Sequence, residues 1–136
     1  MSLFSFSGTP PTDLGVNNGQ LKPCPDTPNC VCSQAPSEDK EHAIAPLTYT
    51  GAAKDAIQRL KQIIEGMERA TINEVSDDYL YAEFSSKLMG FVDDVEFYAP
   101  SGESVIHTRT AARLGKSDLG VNRKRTEEIR AKFAAD

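Results

Sequence analysis

Three consecutive stretches of the chain alternate apolar with polar side chains: YLYAEFSS at residues 79–86, FVDDVEFYA at residues 91–99 and SVIHTRTAARL at residues 104–114. Such alternation is typical of β-strands, because successive side chains point to opposite faces of a sheet. Residues 70–75 form a further candidate strand, and a Pro-Ser-Gly run at 100–102 is a turn signal. The connections are too short for parallel crossovers. The pattern therefore predicts a four-stranded antiparallel sheet.

Two helices are expected to accompany these strands. In residues 50–67 apolar side chains recur every three or four positions, as on one face of a helix. Residues 122–134 repeat the pattern more weakly, through Ile129 and Phe133. Two helices that cover one face of an antiparallel sheet make a two-layer α+β domain. We expect residues 50–136 to form this domain, with the helix-covered face apolar and the other face polar.

The first part of the chain, residues 1–49, holds seven of the eight prolines. Proline fixes φ, lacks the backbone donor and disfavours helix at the residue before it. This part is therefore expected to be an extended, Pro-rich arm with little regular structure, packed on or beside the domain.

Composition narrows the class of protein. With 136 residues the chain has the length of one domain, and its net charge of −5 gives no reason to expect nucleic-acid binding. No apolar run approaches the ~18 residues of a transmembrane helix. No secretory leader is visible at the start. The chain as given is therefore expected to be cytoplasmic, or exported or lumenal if a leader was removed.

The polar positions of the strands converge on one surface. By alternation, this polar sheet face carries Tyr81, Glu83, Asp94, Glu96, Tyr98, His107, Arg109 and Arg113. It could hold cross-strand ion pairs on a solvated surface, or it could bind a protein partner or a small anionic ligand. A small enzyme acting on a polar or anionic substrate through Asp94, Glu96, His107 and Arg109 is a further alternative. Neither His42 nor His107 has an evident Ser or Cys partner arranged for catalysis, so we expect no catalytic residue and no cofactor.

Asp93 falls on the apolar side of its strand. A buried carboxylate without partners is costly, so Asp93 needs hydrogen bonds or an arginine. Free backbone N–H groups gather where a helix begins, and the segment 117–123 leads into the last helix. We expect a structural latch between Asp93 and this segment, formed with Ser117, Asp118, Asn122 and Arg123.

Three cysteines, Cys24, Cys30 and Cys32, lie close together in the arm. Proline turns between Cys24 and Cys30 could bring them within disulfide distance, but free thiols in a proline-rich loop are equally compatible. A metal site would need His42 as its fourth ligand and lacks the common Cys-x-x-Cys spacing, so we expect no metal. A reversible bridge among the three cysteines would make a thiol redox switch that orders the arm.

Three motifs resemble those of an uncharacterised family, domain of unknown function 1499. They are LKPCPDTPNCVCS at residues 21–33, GFVDDVEF at residues 90–97 and RTAARLGKSDLGVNR at residues 109–123. The resemblance implies a bacterial, cyanobacterial or plastid protein, in a family with many exported or membrane-associated members, and it implies no activity. Cys32 stands where the family more usually has Ser, which adds a thiol to the expected pair.

These features predict a small soluble, non-enzymatic binding or assembly module that uses the polar sheet face and the Cys-containing arm. The small enzyme and the thiol redox switch at Cys24, Cys30 and Cys32 are the alternatives.

Overall fold

A computed structural model of the chain describes residues 8–86, 90–115 and 118–135. In chain order these residues form six strands and two helices: β1 (Cys30–Cys32), β2 (Leu47–Thr48), α1 (Ala53–Glu65), β3 (Ala70–Val75), β4 (Tyr79–Ser85), β5 (Val92–Tyr98), β6 (Val105–Ala112) and α2 (Val121–Ala135). The architecture is α+β with an antiparallel sheet, as the sequence predicts.

The sheet has six strands rather than the predicted four. Its order is β1-β6-β5-β4-β3, and β2 pairs with β6 off this path. The two additional strands come from the Pro-rich arm and lie antiparallel to β6, β1 at residues 109–111 and β2 at residues 105–106. Strands of three and two residues are too short to show alternation in a sequence. They form because β6 would otherwise leave unpaired N–H and C=O groups along its edge.

The two helices pack on one face of the sheet and form the hydrophobic core with it. The apolar side of α1 is buried against the strands, through Ala56, Ile57, Leu60 and Ile64. The helix begins at Ala53, three residues after the first residue of the predicted range 50–67, and no side chain caps it. In the part of the chain that the structure describes, neither helix has both the length and the apolar composition needed to cross a bilayer.

The opposite face of the sheet is covered by the arm. Gly15 donates its backbone N–H to Glu96 Oε2 at 2.7 Å, and arm residues line a cleft together with β5 and β6. Asp94, Glu96 and Arg109 are buried as a result. This face is polar, as the alternation indicates. The interpretation of it as a solvated surface is wrong, because the arm shields much of it from water.

Candidate binding site between the arm and the sheet

Strand register places the predicted polar side chains in rows across the sheet. Residues directly opposite each other in neighbouring strands point to the same face. The rows across β4, β5 and β6 are Tyr79, Tyr98 and His107; Tyr81, Glu96 and Arg109; and Glu83, Asp94 and Ala111. β1 extends two rows, with Cys32 opposite Arg109 and Cys30 opposite Ala111. The polar sheet face and the cysteines of the arm thus lie on the same side.

Arg113 holds two of the predicted carboxylates. It donates to Asp94 through Nε at 3.1 Å and through Nη2 at 2.6 Å, and Nη2 also donates to Glu83. Tyr81 donates its hydroxyl to Asp94 at 2.6 Å. Burial raises the pKa of Glu83, but the hydrogen bond and charge of Arg113 outweigh it and hold this pKa below its ordinary value. Asp94 and Glu83 therefore form a structural ion-pair cluster with Arg113.

Glu96 lies at the centre of the face and is 0% exposed. Its Oε2 accepts the Tyr79 hydroxyl at 2.6 Å and the Gly15 backbone N–H at 2.7 Å. Gly15 has a φ of 107°, a backbone conformation that glycine adopts without strain, and this brings the arm onto the carboxylate. Among the described residues, Glu96 Oε1 has no hydrogen-bond partner. Burial raises the pKa of Glu96 above its ordinary value.

Arg109 is the least satisfied charge on the face. It is 4% exposed, and its Nε lacks a hydrogen-bond partner within the described chain. The nearest carboxylate oxygen is Glu96 Oε1, 4.0 Å from Nη1. This separation exceeds the usual hydrogen-bond distance of about 3 Å. Arg109 and Glu96 are therefore a loose buried pair in which each partner keeps an unpaired polar atom.

A cleft of about 400 Å³ separates the arm from the sheet beside this pair. We call it the arm–sheet cleft. Its charged lining consists of Lys22, Asp94, Arg109 and Arg113, and its apolar lining includes Pro11, Leu14, Pro23, Pro25, Ala111 and Ala112. Lys22 is paired with Asp13 of the arm at 2.8 Å. A ligand in this cleft would meet apolar walls and the guanidinium of Arg109.

His107 shares the polar sheet face but is not part of the cleft lining. Its Nδ1 lies 2.9 Å from Ser33 Oγ, which also accepts the Thr108 backbone N–H. Burial lowers the pKa of His107 below its ordinary value. His107 thus has a Ser neighbour that was not evident from the sequence. Sequence reasoning missed Ser33 because it reaches His107 only through the pairing of β1 with β6.

Asp93 is buried, and its charged partner is Arg125 of α2. Arg125 Nη2 lies 2.9 Å from Asp93 Oδ2, and the guanidinium stacks 4.7 Å from the centre of the Phe84 ring. Burial raises the pKa of Asp93, against the attraction of Arg125. Sequence reasoning missed Arg125, whose only signal was its place in a basic cluster.

The segment before α2 carries hydrogen bonds of its own. Asp118 Oδ2 accepts the backbone N–H of Asn122 at 3.1 Å and its side-chain N–H at 2.8 Å. Arg123 instead holds the arm, because its guanidinium donates to the Ala43 carbonyl at 2.9 Å. Ser117 lies outside the described residues. Of the predicted members, Asn122 makes a side-chain hydrogen bond to Asp93. The latch between Asp93 and this segment stays a prediction, and Arg125 was not among its predicted members.

The structure pairs Cys24 with Cys30 in a disulfide and leaves Cys32 as a buried free thiol. Burial raises the pKa of Cys32. The two bonded sulfurs cannot act as thiolate ligands, so the three-thiolate metal site is not formed. Across the described residues, no group of three His, Cys, Asp or Glu side chains is arranged to hold a metal.

His42 anchors the disulfide loop. Its Nδ1 lies 2.8 Å from Asp39 Oδ2, and its Nε2 lies 2.8 Å from the carbonyl of Thr27, inside the loop. Both neighbours are acceptors, which favours a ring that donates from both nitrogens. Burial lowers the pKa of His42, but the hydrogen bonds to Asp39 and Thr27 outweigh it and the pKa is raised.

The chain is similar over residues 20–133 to a family model whose description is Protein of unknown function (DUF1499). The match covers all three motifs quoted above. No curated protein matches the chain.

Proposed function

The chain belongs to the DUF1499 family, and we propose that it is a non-enzymatic binding module that takes a small anionic ligand into the arm–sheet cleft. The observation that carries this proposal is that Arg109 is buried at the cleft with an unpartnered N–H group. Its side chain is buried, its Nε is unpartnered among the described residues, and it lines the cleft. A buried charge without a close counter-ion is unfavourable, and a bound anion would supply the missing partner.

The other arginine of the cleft supports this choice by contrast. Arg113 is already held by Asp94 and Glu83, so it offers a ligand little unspent hydrogen-bonding capacity. Arg109 has only Glu96 at 4.0 Å. Arg109 lies in β6, Arg113 follows the end of that strand, and both line the cleft. Of these two arginines, Arg109 is the one without a close acceptor.

The size of the cleft favours a small molecule over a protein partner. Its volume of about 400 Å³ lies within the range of about 300–1,000 Å³ for small-molecule sites. A stable protein interface needs roughly 800 Å² from each partner, and a recess under the arm does not offer such a surface.

The enzyme alternative is weaker, because its acid–base groups are either held by other side chains or lie outside the cleft lining. A general acid or base must come within hydrogen-bond distance of the substrate. Asp94 is fixed by Arg113 and Tyr81, and Glu96 is fully buried. His107 faces Ser33 outside the cleft lining.

The proposal is tested by amide chemical-shift titration of the full chain. The ¹⁵N-labelled protein is titrated separately with sodium acetate, sodium sulfate, sodium phosphate and sodium citrate at constant ionic strength. We expect at least one anion to give saturable shifts at the amides of Leu14, Ala111 and Ala112. Arg109→Lys should weaken that response, whereas Arg59→Lys, on the far helix, should leave it unchanged.

Two results would contradict the proposal. One is the absence of saturable shifts at the cleft with every anion. The other is an equal response in wild type and Arg109→Lys, because the binding would then not depend on the unpartnered guanidinium. Thermal unfolding of both variants is measured alongside, so that a loss of fold is not mistaken for a loss of binding.

A second candidate function, the thiol redox switch, is favoured by the position of Cys24. This residue lines both the arm–sheet cleft and a neighbouring cavity of about 260 Å³, which is also lined by the free thiol of Cys32. Opening the Cys24–Cys30 bridge would therefore alter a wall of the binding site. Reversible opening between roughly −180 and −320 mV, the span of cellular thiol poise, is expected. A potential far below that span would exclude the switch.

The same bridge bears on the compartment. Structural disulfides persist in oxidising surroundings and are rare where thiols are kept reduced. We therefore favour the exported or lumenal alternative over the cytoplasmic one. Alkylation of the protein in its own host, followed by intact mass, tests this: one free thiol supports it and three free thiols contradict it.

A further inference from the structure

The pairing of the cations that line the arm–sheet cleft points to an anion held by one of them. Arg113 is held by both Asp94 and Glu83, and Lys22 is paired with Asp13. Among the lining residues, this leaves Arg109 as the cation whose counter-ion is not in close contact. A ligand anion would therefore pair with Arg109 rather than with Arg113 or Lys22.

Glu96 is not a close acceptor for the Arg109 guanidinium. Its nearer oxygen stays 4.0 Å from Arg109, while its other oxygen is engaged by Tyr79 and Gly15. Burial raises the pKa of Glu96 above its ordinary value. The guanidinium of Arg109 therefore keeps an N–H donor that no acceptor among the described residues satisfies.

The shape of the guanidinium favours a planar anion. Arginine presents its N–H groups in a rigid fork whose spacing matches the two oxygens of a carboxylate. The unpartnered Nε belongs to such a fork edge. A phosphate carries more charge and a third oxygen that would need further donors, and the other cations of the cleft are already paired.

The remaining walls favour an apolar body on the ligand. Four proline or leucine side chains from the arm face two alanines of β6 across the cleft: Pro11, Leu14, Pro23, Pro25, Ala111 and Ala112. We infer that the arm–sheet cleft binds a monocarboxylate with a short apolar body, held bidentately by Arg109. This inference rests on the proposed function and narrows its ligand class.

Access to Arg109 requires the arm to move. Arg109 is 4% exposed, and Leu14 of the arm lines the same cleft. Next to it, the Gly15 N–H is bonded to Glu96 Oε2. A ligand that reaches the guanidinium should therefore perturb the Gly15 amide, whereas an ion on the outer surface should not.

The test compares four probes that share one ring and differ in the head group. Benzoate is planar and singly charged, benzamide is planar and neutral, benzenesulfonate is tetrahedral and singly charged, and phenyl phosphate is tetrahedral with more charge. Each is titrated into the ¹⁵N-labelled full chain. We expect saturable benzoate binding with a shift of the Gly15 amide, no saturable binding of benzamide, and binding of the two tetrahedral anions weaker by about tenfold.

A conservative variant supplies the second readout. Arg109→Lys keeps the positive charge and removes the planar fork. It should therefore weaken the binding of benzoate about tenfold and remove the preference for benzoate over benzenesulfonate. Arg59→Lys is the matched control and should bind as wild type does. Should Arg109→Lys fail to fold, the ranking of the four probes on the wild-type chain still decides the inference.

The outcomes separate the inference from the proposed function. Tighter binding of benzenesulfonate or phenyl phosphate at the cleft would overturn the monocarboxylate class and leave the anion-binding proposal standing. If benzamide bound as tightly as benzoate, the negative charge would not be needed for binding. That result would overturn both the inference and the proposed function. No cleft binding by any of the four probes overturns the inference, and the anion set of the earlier titration then decides the proposed function alone.

Discussion

The two faces of the sheet are both buried, but by different means. On the helix-covered face Leu80, Phe97 and Ile106 pack into the core, where contacts are not directional. On the arm-covered face Asp94, Glu96 and Arg109 are enclosed by a proline-rich segment, where every polar atom needs a partner of the right geometry. The comparison shows that a covered face need not be a core.

The difference between the faces lies in what is left over. Apolar packing leaves nothing to satisfy, whereas polar burial is favourable only when each hydrogen bond is made. The cluster around Arg113 meets that demand. The pair of Arg109 and Glu96 does not, within the described chain. The helix-covered face should therefore dominate stability, and the arm-covered face should carry function.

The largest effect is expected on the helix-covered face. Phe97 is fully buried in the core, and Phe97→Ala should lower the free energy of unfolding by about 3–5 kcal/mol, from lost burial and the cavity left behind. Urea denaturation measures this. Phe91, 42% exposed, is the matched control, and Phe91→Ala should cost about 1 kcal/mol or less. Equal losses at the two positions would contradict the distinction.

On the arm-covered face, the cost of a truncation should depend on what it leaves unpaired. Asp94→Ala removes an acceptor from both Arg113 and Tyr81, and we expect it to cost about 3 kcal/mol. Glu83→Ala should cost clearly less, because Arg113 keeps Asp94 and Glu83 is partly solvent-exposed. Both values come from the same urea denaturation. The reverse order would mean that Glu83 is the main partner of Arg113.

Local sequence patterns predict the apolar, helix-covered face of the sheet. They also predict which side chains lie on the polar face. The alternation in β4, β5 and β6 and the helical repeat in α1 involve neighbours a few residues apart, which a sequence displays directly. They correctly placed Glu83, Asp94, Glu96 and Arg109 on one side. The Cys24–Cys30 bridge was one of several open possibilities.

Non-local contacts account for what the sequence could not reveal. The hydrogen bond that lays the arm on Glu96 joins residues 81 positions apart, and the one between Ser33 and His107 joins residues 74 apart. No periodicity links such positions. The burial of the polar face, the short strands of the arm and the missing partner of Arg109 all depend on contacts of this kind.

A smaller effect is expected from the disulfide, which constrains the arm and not the helix side. Its loop is short, with a sequence separation of 6, and removing the bridge should cost about 2 kcal/mol. The double variant Cys24→Ser/Cys30→Ser should lose hydrogen-exchange protection in the arm, at Leu21 and Gly15, while β4 keeps its own. A reductant should destabilise wild type and have no effect on the double variant. Equal loss of protection in β4 would show that the arm and the core unfold as one unit.

The smallest effect is expected from the titration of His42, which binds Asp39 and the disulfide loop and has Glu41 at 3.4 Å. Because its pKa is raised in the folded chain, its stabilising contribution is complete below the unfolded pKa of about 6.5 and is lost as pH rises through the folded value. His42→Gln should therefore remove part of the decline in stability that sets in as pH rises above about 6.5. His107 has a lowered pKa and therefore acts with the opposite sign: its contribution to stability decreases as the pH drops below about 6.5. His107→Gln serves as the control. A ring-proton titration that gave His42 a pKa below 6.5 would show that burial outweighs its two acceptors, and the arm would then owe nothing to this histidine's charge.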